Sequence, residues 1–330
     1  MALESTTGIV RPGQEGATGA VNALHIEEYT GIVEGTIARK SVLTGFIPVR
    51  AVRGTSVIQS FAVGESTLQK VVPGVTPDGQ AEKFGKNTLT IDTLILARDM
   101  FPLLETWQTS YDARKEVGLE HGKKIAKFKD QAFFIQAIKT AQRTTAKFTG
   151  VNGAGHSGGT QVTFAGSSDH LDPAKLYAKV AEAFVGMEQK DVDPRTDDVL
   201  LAMKPAEFYT LLQNEMLINS EWKSADGNSV QGMVLKTYGV PVISSNNLPA
   251  GETITGHLLS NSDNSNAYDG DFSKVVACAF SARALLAGET IPLTTAIFWD
   301  EKSKHWFVDD HLSFAVGPNR PEFSAVILKP

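Results

Sequence analysis

The spacing of apolar positions changes several times along the chain, and each change marks an element. Residues 1–24 are rich in Gly, Thr, Ala and Gln and carry no period, which predicts an extended or disordered arm. Ile26, Tyr29 and Val33 then share one face of a short helix. Val57, Gln59, Phe61 and Val63 alternate with Ile58, Ser60 and Ala62, and Leu89, Ile91, Thr93 and Ile95 alternate with Thr88, Thr90 and Asp92. Both runs predict strands, the second a half-exposed antiparallel one. Between them, residues 64–85 hold Gly64, Pro73-Gly74, Pro77, Asp78-Gly79 and Gly85. Hairpin loops usually have about 2–5 residues, so a connection this long predicts a projecting hairpin.

The strongest helical pattern follows. Thr109-Ser110-Tyr111-Asp112 resembles a capping box, and Val117, His121, Ile125, Phe128, Ala132 and Ile135 recur at helical spacing. A helix over 109–142 would run about 50 Å at 1.5 Å per residue, too long for the inside of a small globule. Gly118 and Gly122 permit a bend or a close neighbour. Residues 147–159 form a Gly-rich break before a strand over Thr160–Ala165. Asp172-Pro173 predicts an N-cap with proline at the first helical position, and Leu176, Val180, Ala183, Phe184 and Met187 form that helix's apolar face. A strand over Asp198–Met203 and a short helix from Pro205 through Leu212 come next. Residues 219–230 and 260–271 read as polar loops, with strand pieces at Val234–Leu235 and Val240–Ser244. The last strands are expected at Val275–Phe280, Leu293–Trp299, Trp306–Asp309, Leu312–Val316 and Ala325–Leu328.

Composition narrows the function. With 330 residues, 42% hydrophobic and 21% charged, a packed globule of about two domains is expected. A net charge of −6 argues against a basic nucleic-acid clamp. The single cysteine, Cys278, excludes an intrachain disulfide and a cysteine zinc cluster and fits a reducing compartment. The N-terminus lacks the basic start and apolar core of a signal peptide, and no apolar run is long enough to span a membrane.

Candidate chemistry fails on context. Gly155-His156-Ser157-Gly158-Gly159 matches the G-x-S-x-G elbow of serine hydrolases, with Asp300 and His305 following in chain order. An elbow needs a strand before the serine and a helix after it, and here the order is reversed. Gly153 to Gly158 matches a dinucleotide fingerprint and fails the same test. His305, Asp309 and His311 share a strand face, but no second cluster completes a metal geometry. Residues 261–271 lack calcium-loop spacing, and there is no phosphate-binding P-loop. No nucleophile, base and orienter assemble.

The order of arm, long hairpin, very long helix and mixed α+β region resembles the major capsid protein of tailed bacteriophages, the Johnson-type capsid fold also found in herpesvirus capsids. Three stretches carry the resemblance: Ala126 to Ile138, similar to the end of the family's spine helix; Val199 to Leu212, similar to its axial strand and short helix; and Gly232 to Pro249, with Gly239-Val240-Pro241-Val242 and Leu248-Pro249. Asn319-Arg320-Pro321-Glu322 before the last β run is similar to the tail of short-tailed, podovirus-like capsid proteins. The resemblance implies an α+β fold with an N-terminal arm (1–54), an E-loop hairpin (55–97), a peripheral domain (98–193 with spine helix 109–142, plus about 290–330) and an axial domain (194–289). It implies a structural, non-enzymatic subunit without cofactor or metal, forming hexamers and pentamers of an icosahedral head in the host cytoplasm. The head would enclose double-stranded DNA without sequence-specific contacts. A portal protein and a decoration protein are the expected further partners. Residues ahead of the hairpin lack the long charged helix of a fused scaffold, which implies a separate scaffolding protein. Intersubunit contacts are expected at Lys70, Val71, Val72, Asp78, Glu82, Lys83 and Phe84, and Lys70, Lys83 and Lys86 are available for the covalent cross-link of some relatives. An encapsulin-like compartment shell, which usually lacks the long E-loop insertion, and a serine hydrolase using Ser157 are the alternatives.

Overall fold

A computed structural model describes residue 43 and residues 45–66, 68–74, 76, 79, 81–103, 113–148, 156–214 and 235–330. The expected arm, the helix around Tyr29, the Thr109–Asp112 cap, Asp78 and the 219–230 loop lie outside the described residues.

In chain order the elements begin with β1 (Val49–Ala51), β2 (Val57–Val63), β3 (Phe84–Thr90) and β4 (Ile95–Pro102), then helix α1 (Ala113–Ala141). Next come β5 (Thr160–Thr163), α2 (Pro173–Glu188), β6 (Val199–Met203), α3 (Pro205–Leu212), β7 (Leu235–Thr237) and β8 (Val240–Ser244). The chain closes with β9 (Thr253–Ile254), β10 (Gly270–Asp271), β11 (Val275–Ser281), β12 (Leu285–Asp300), β13 (His305–Pro318) and β14 (Ser324–Leu328). The described residues divide into two compact units. The larger takes Ser41–Thr93, Phe128–Thr290 and Phe314–Pro330, and the smaller takes Leu94–Lys127 and Ile291–Ser313.

The larger unit is built on a six-stranded mixed sheet in the order β5-β14-β11-β6-β8-β7. Its central strand β11 is buried at every position, as a strand covered on both faces must be. Helix α2 forms because Asp172 accepts from the amides of Ala174 and Lys175 and Pro173 presets the first turn. It buries Leu176, Val180, Ala183, Phe184 and Met187, the five residues its spacing predicts. From Ala132 through Ile138, α1 is buried on all sides, and Phe134 meets Phe280 of β11 edge to face at 6.1 Å. The second, smaller apolar line of this helix, which includes Phe133, Ala137 and Ala141, is buried along with the first. Ala132, Ala137 and Ala141 are small enough to let neighbours close over the second face.

In the smaller unit, β4 pairs antiparallel with the first part of β13, from Pro102↔His305 to Ile95↔Leu312. The sequence predicts a break after Asp309, yet β13 continues without one. The acidic pair does not end the strand because each carboxylate has a cation or ring to face. Arg98 donates to both oxygens of Asp309 at 2.9 and 2.7 Å, and the His121 ring lies 3.1 Å from Asp310 and 2.8 Å from Asp99.

The second expected strand, Thr88 to Ile95, is in fact two. β3 ends at Thr90 and β4 starts at Ile95. Ile91 keeps the alternation, packing with Ile58, Leu286 and Ala315 while its amide donates to the Ser56 carbonyl, and the regular pairing stops beyond it, where Asp92 accepts from the Thr93 hydroxyl and the Asn261 amide.

Candidate assembly interface

The hairpin is anchored at its base and bare at its tip. β2 and β3 pair from Val57↔Thr90 to Val63↔Phe84, and the Gly64 amide donates to the Lys83 carbonyl one step beyond. At the base, Ile58, Ile91, Val52 and Leu89 pack on Leu286 and Ala315. Asn87, buried, donates from its side-chain amide to the Pro318 carbonyl at 2.9 Å. Gly288 of β12 is where Ile58 approaches most closely; a Cβ there would collide with the Ile58 side chain.

Beyond the base four large apolar side chains of the described residues face solvent. Leu68 is 99% exposed, Phe84 73%, Val71 65% and Val72 51%. Lys70, Glu82 and Lys83 are exposed beside them, and Ser66 donates to Glu82 at 2.7 Å across the mouth of the loop. The expected contact residues Lys70, Val71, Val72, Glu82, Lys83 and Phe84 thus lie on one exposed projection, while Asp78 lies outside the described residues. Sequence reasoning missed Phe61 and Val63, which extend this apolar face down the outer side of β2. The signal was present: Phe61 and Val63 share the parity of Gln59, the polar face of the strand.

The residues that suggest catalysis have other work. Thr160 opens a strand directly after the Gly-rich connector, and the Ser157 hydroxyl lies 3.5 Å from the Gly158 carbonyl. Asp300 accepts from the Ser303 hydroxyl and the Lys302 amide, capping its own turn. Asp309, drawn above as a metal ligand, is held by Arg98, and the guanidinium keeps its carboxyl below the usual carboxylate range. Among the described residues, no group of His, Cys, Asp and Glu has the arrangement of a metal site. His156 instead reaches the hairpin: its Nε2 lies 3.0 Å from the Val63 carbonyl. In the polar loop, Asp269 accepts from the amides of Gly256 and His257 and the hydroxyl of Ser260. That loop is therefore a closed hydrogen-bonded turn system.

A family model described as "Gp10A-like: Major capsid protein" matches residues 74–287, well over half of the chain. No curated protein matches the sequence. Among solved structures, the capsid of cyanophage P-SCSP1u matches with a TM-score of 0.76 at 19% identity, covering 100% of this chain and 99% of that one. The mature capsid of bacteriophage PhiM1 matches with a TM-score of 0.75 at 20% identity, covering 97% and 96%. Mycobacterium phage Che8 matches with a TM-score of 0.63 at 16% identity, covering 90% and 94%. The α+β fold is that of tailed-phage capsid subunits, and the chain belongs to the Gp10A-like family of bacteriophage major capsid proteins.

Proposed function

We propose that this subunit assembles into the hexamers and pentamers of an icosahedral head around double-stranded DNA, and that the hairpin tip is the clasp between neighbours. The observation that carries the proposal is the contrast within one hairpin. Its base is packed into the larger unit, while Leu68, Val71, Val72 and Phe84 keep half or more of their surface exposed. Apolar surface on a projecting strand pair favours burial against another protein. A shell supplies that protein as a second copy in a head-to-tail contact that closes into rings. Lys70, Glu82 and Lys83, with Asp78, would set register more than affinity.

On this reading residues 1–54 are the arm, 55–97 the E-loop, 98–193 with about 290–330 the peripheral domain, and 194–289 the axial domain. A separate scaffolding protein, a portal and a decoration protein would be the partners, with assembly in the host cytoplasm and a structural, non-enzymatic role. Replacing residues 68–82 by a short Gly-Ser turn keeps the β2–β3 pairing. The expected result is a subunit that melts normally and gives few closed shells on co-expression with its scaffold. Normal shell yield would refute the clasp.

A further inference from the structure

The Gly-rich connector that looked catalytic has a mechanical arrangement instead. Gly158 and Gly159 run so close to the end of α1 that a Cβ on either would collide with the backbone of Thr144 or Ala141. The Gly159 amide donates to the Arg143 carbonyl at 2.7 Å. Lys190, just after α2, donates to the Gly158 carbonyl, the Gly159 carbonyl and the Thr160 hydroxyl at 2.9, 2.8 and 2.9 Å. The connector is thus pinned from two sides. From this fixed point His156 extends to the hairpin, with its ring edge to face against Phe148 at 6.2 Å and its Nε2 at the Val63 carbonyl. Val63 is the last residue of β2 before the long tip.

We infer that His156, held by the Gly158–Gly159–Lys190 pin, is a positioning residue that sets the direction in which the hairpin tip leaves the subunit. A backbone carbonyl can only accept, so Nε2 carries the proton and donates to Val63. Burial, aided by the charge of Arg320, lowers the His156 pKa, while the hydrogen bond to Val63 pulls the other way. A hydrogen bond at the last paired residue acts where β2 and β3 separate, so it sets the root from which the tip departs. The inference rests on the clasp reading for its role in assembly, but not for its geometry.

The test is hydrogen exchange on the unassembled full chain, read in peptides spanning 57–66 and 83–90, together with shell yield. His156→Phe keeps a ring against Phe148 and removes the donor. It is expected to speed exchange at the hairpin root about fivefold, the loss of one ordinary hydrogen bond. His156→Gln restores a donor and is expected to recover at least half of the protection. Lys190→Gln loosens the pin without touching the hairpin and is expected to speed exchange at the root as well. The inference is overturned if His156→Phe exchanges within twofold of the unsubstituted chain. It is also overturned if Lys190→Gln loosens only the connector. Faster exchange with undiminished shell yield would support the bracket and count against the clasp.

Discussion

Phe84 tests the clasp most economically, because its two expected effects differ in kind. The ring is 73% exposed in the subunit, so truncation to Ala removes little from the subunit's own core. Fully burying a Phe side chain is worth about 1.5–3 kcal/mol, and the exposed share scales this to about 1–2 kcal/mol for each intersubunit contact. Each subunit in a closed shell would donate one such contact. At about 1.4 kcal/mol per tenfold, the concentration needed for assembly should rise about 5- to 30-fold. Thermal melting of dissociated Phe84→Ala should stay within about 1 °C of the unsubstituted protein. Sedimentation of a concentration series with scaffold present measures the assembly threshold. An unchanged threshold would refute the reasoning, and a melting drop of several degrees would show that Phe84 serves its own subunit instead.

The remaining expectations concern stability and chemistry. Asp309 has its pKa lowered by Arg98, so the unfolded chain binds more protons in the window below the usual carboxylate value of about 4. Stability from this pair is present above that value and is lost as pH falls through the depressed pKa; Asp309→Asn should flatten the acid limb of a urea-unfolding series, and an unchanged limb would count against the pair. Arg98 keeps 47% of its side chain exposed, so solvent screening makes this a modest slope. Gly288→Ala drives a Cβ into Ile58 and should cost about 1–3 kcal/mol, with Ile58→Val recovering part of it in a double-mutant cycle; strict additivity would refute the contact. A fluorophosphonate probe should leave Ser157 unlabelled, since a strand follows the connector where an elbow needs a helix; labelling that disappears in Ser157→Ala would revive the hydrolase.

Local patterns were legible where one physical cause acted alone. The Asp172 cap and the five-residue face of α2 could be read directly, because capping and amphipathic burial coincide there. The hairpin was legible from alternation on both sides of a Pro/Gly-rich gap. What failed was set by tertiary partners. The alternation runs from Leu89 through Ile95, but the chain breaks between β3 and β4 where Asp92 is taken up by Thr93 and by Asn261, far away in sequence. Asp309 and Asp310 look like a strand terminus until Arg98 and His121, far away in sequence, are placed against them. At the hairpin, the exposure of the charged and apolar tip residues Lys70, Val71, Val72, Glu82, Lys83 and Phe84 agrees with what the Pro/Gly-rich composition suggests. Phe61 and Val63 were missed because the alternation of β2 does not itself say which of its two faces is exposed. The use of His156 was invisible, since its acceptor is a backbone carbonyl 93 residues away.

The central claim is that the hairpin tip is buried on a neighbouring copy. Electron cryomicroscopy of particles assembled with the scaffold measures it directly. The account predicts closed shells of five- and six-membered rings in which Leu68, Val71, Val72 and Phe84 lose their exposure against an adjacent subunit. Shells in which these four side chains still face solvent would contradict it.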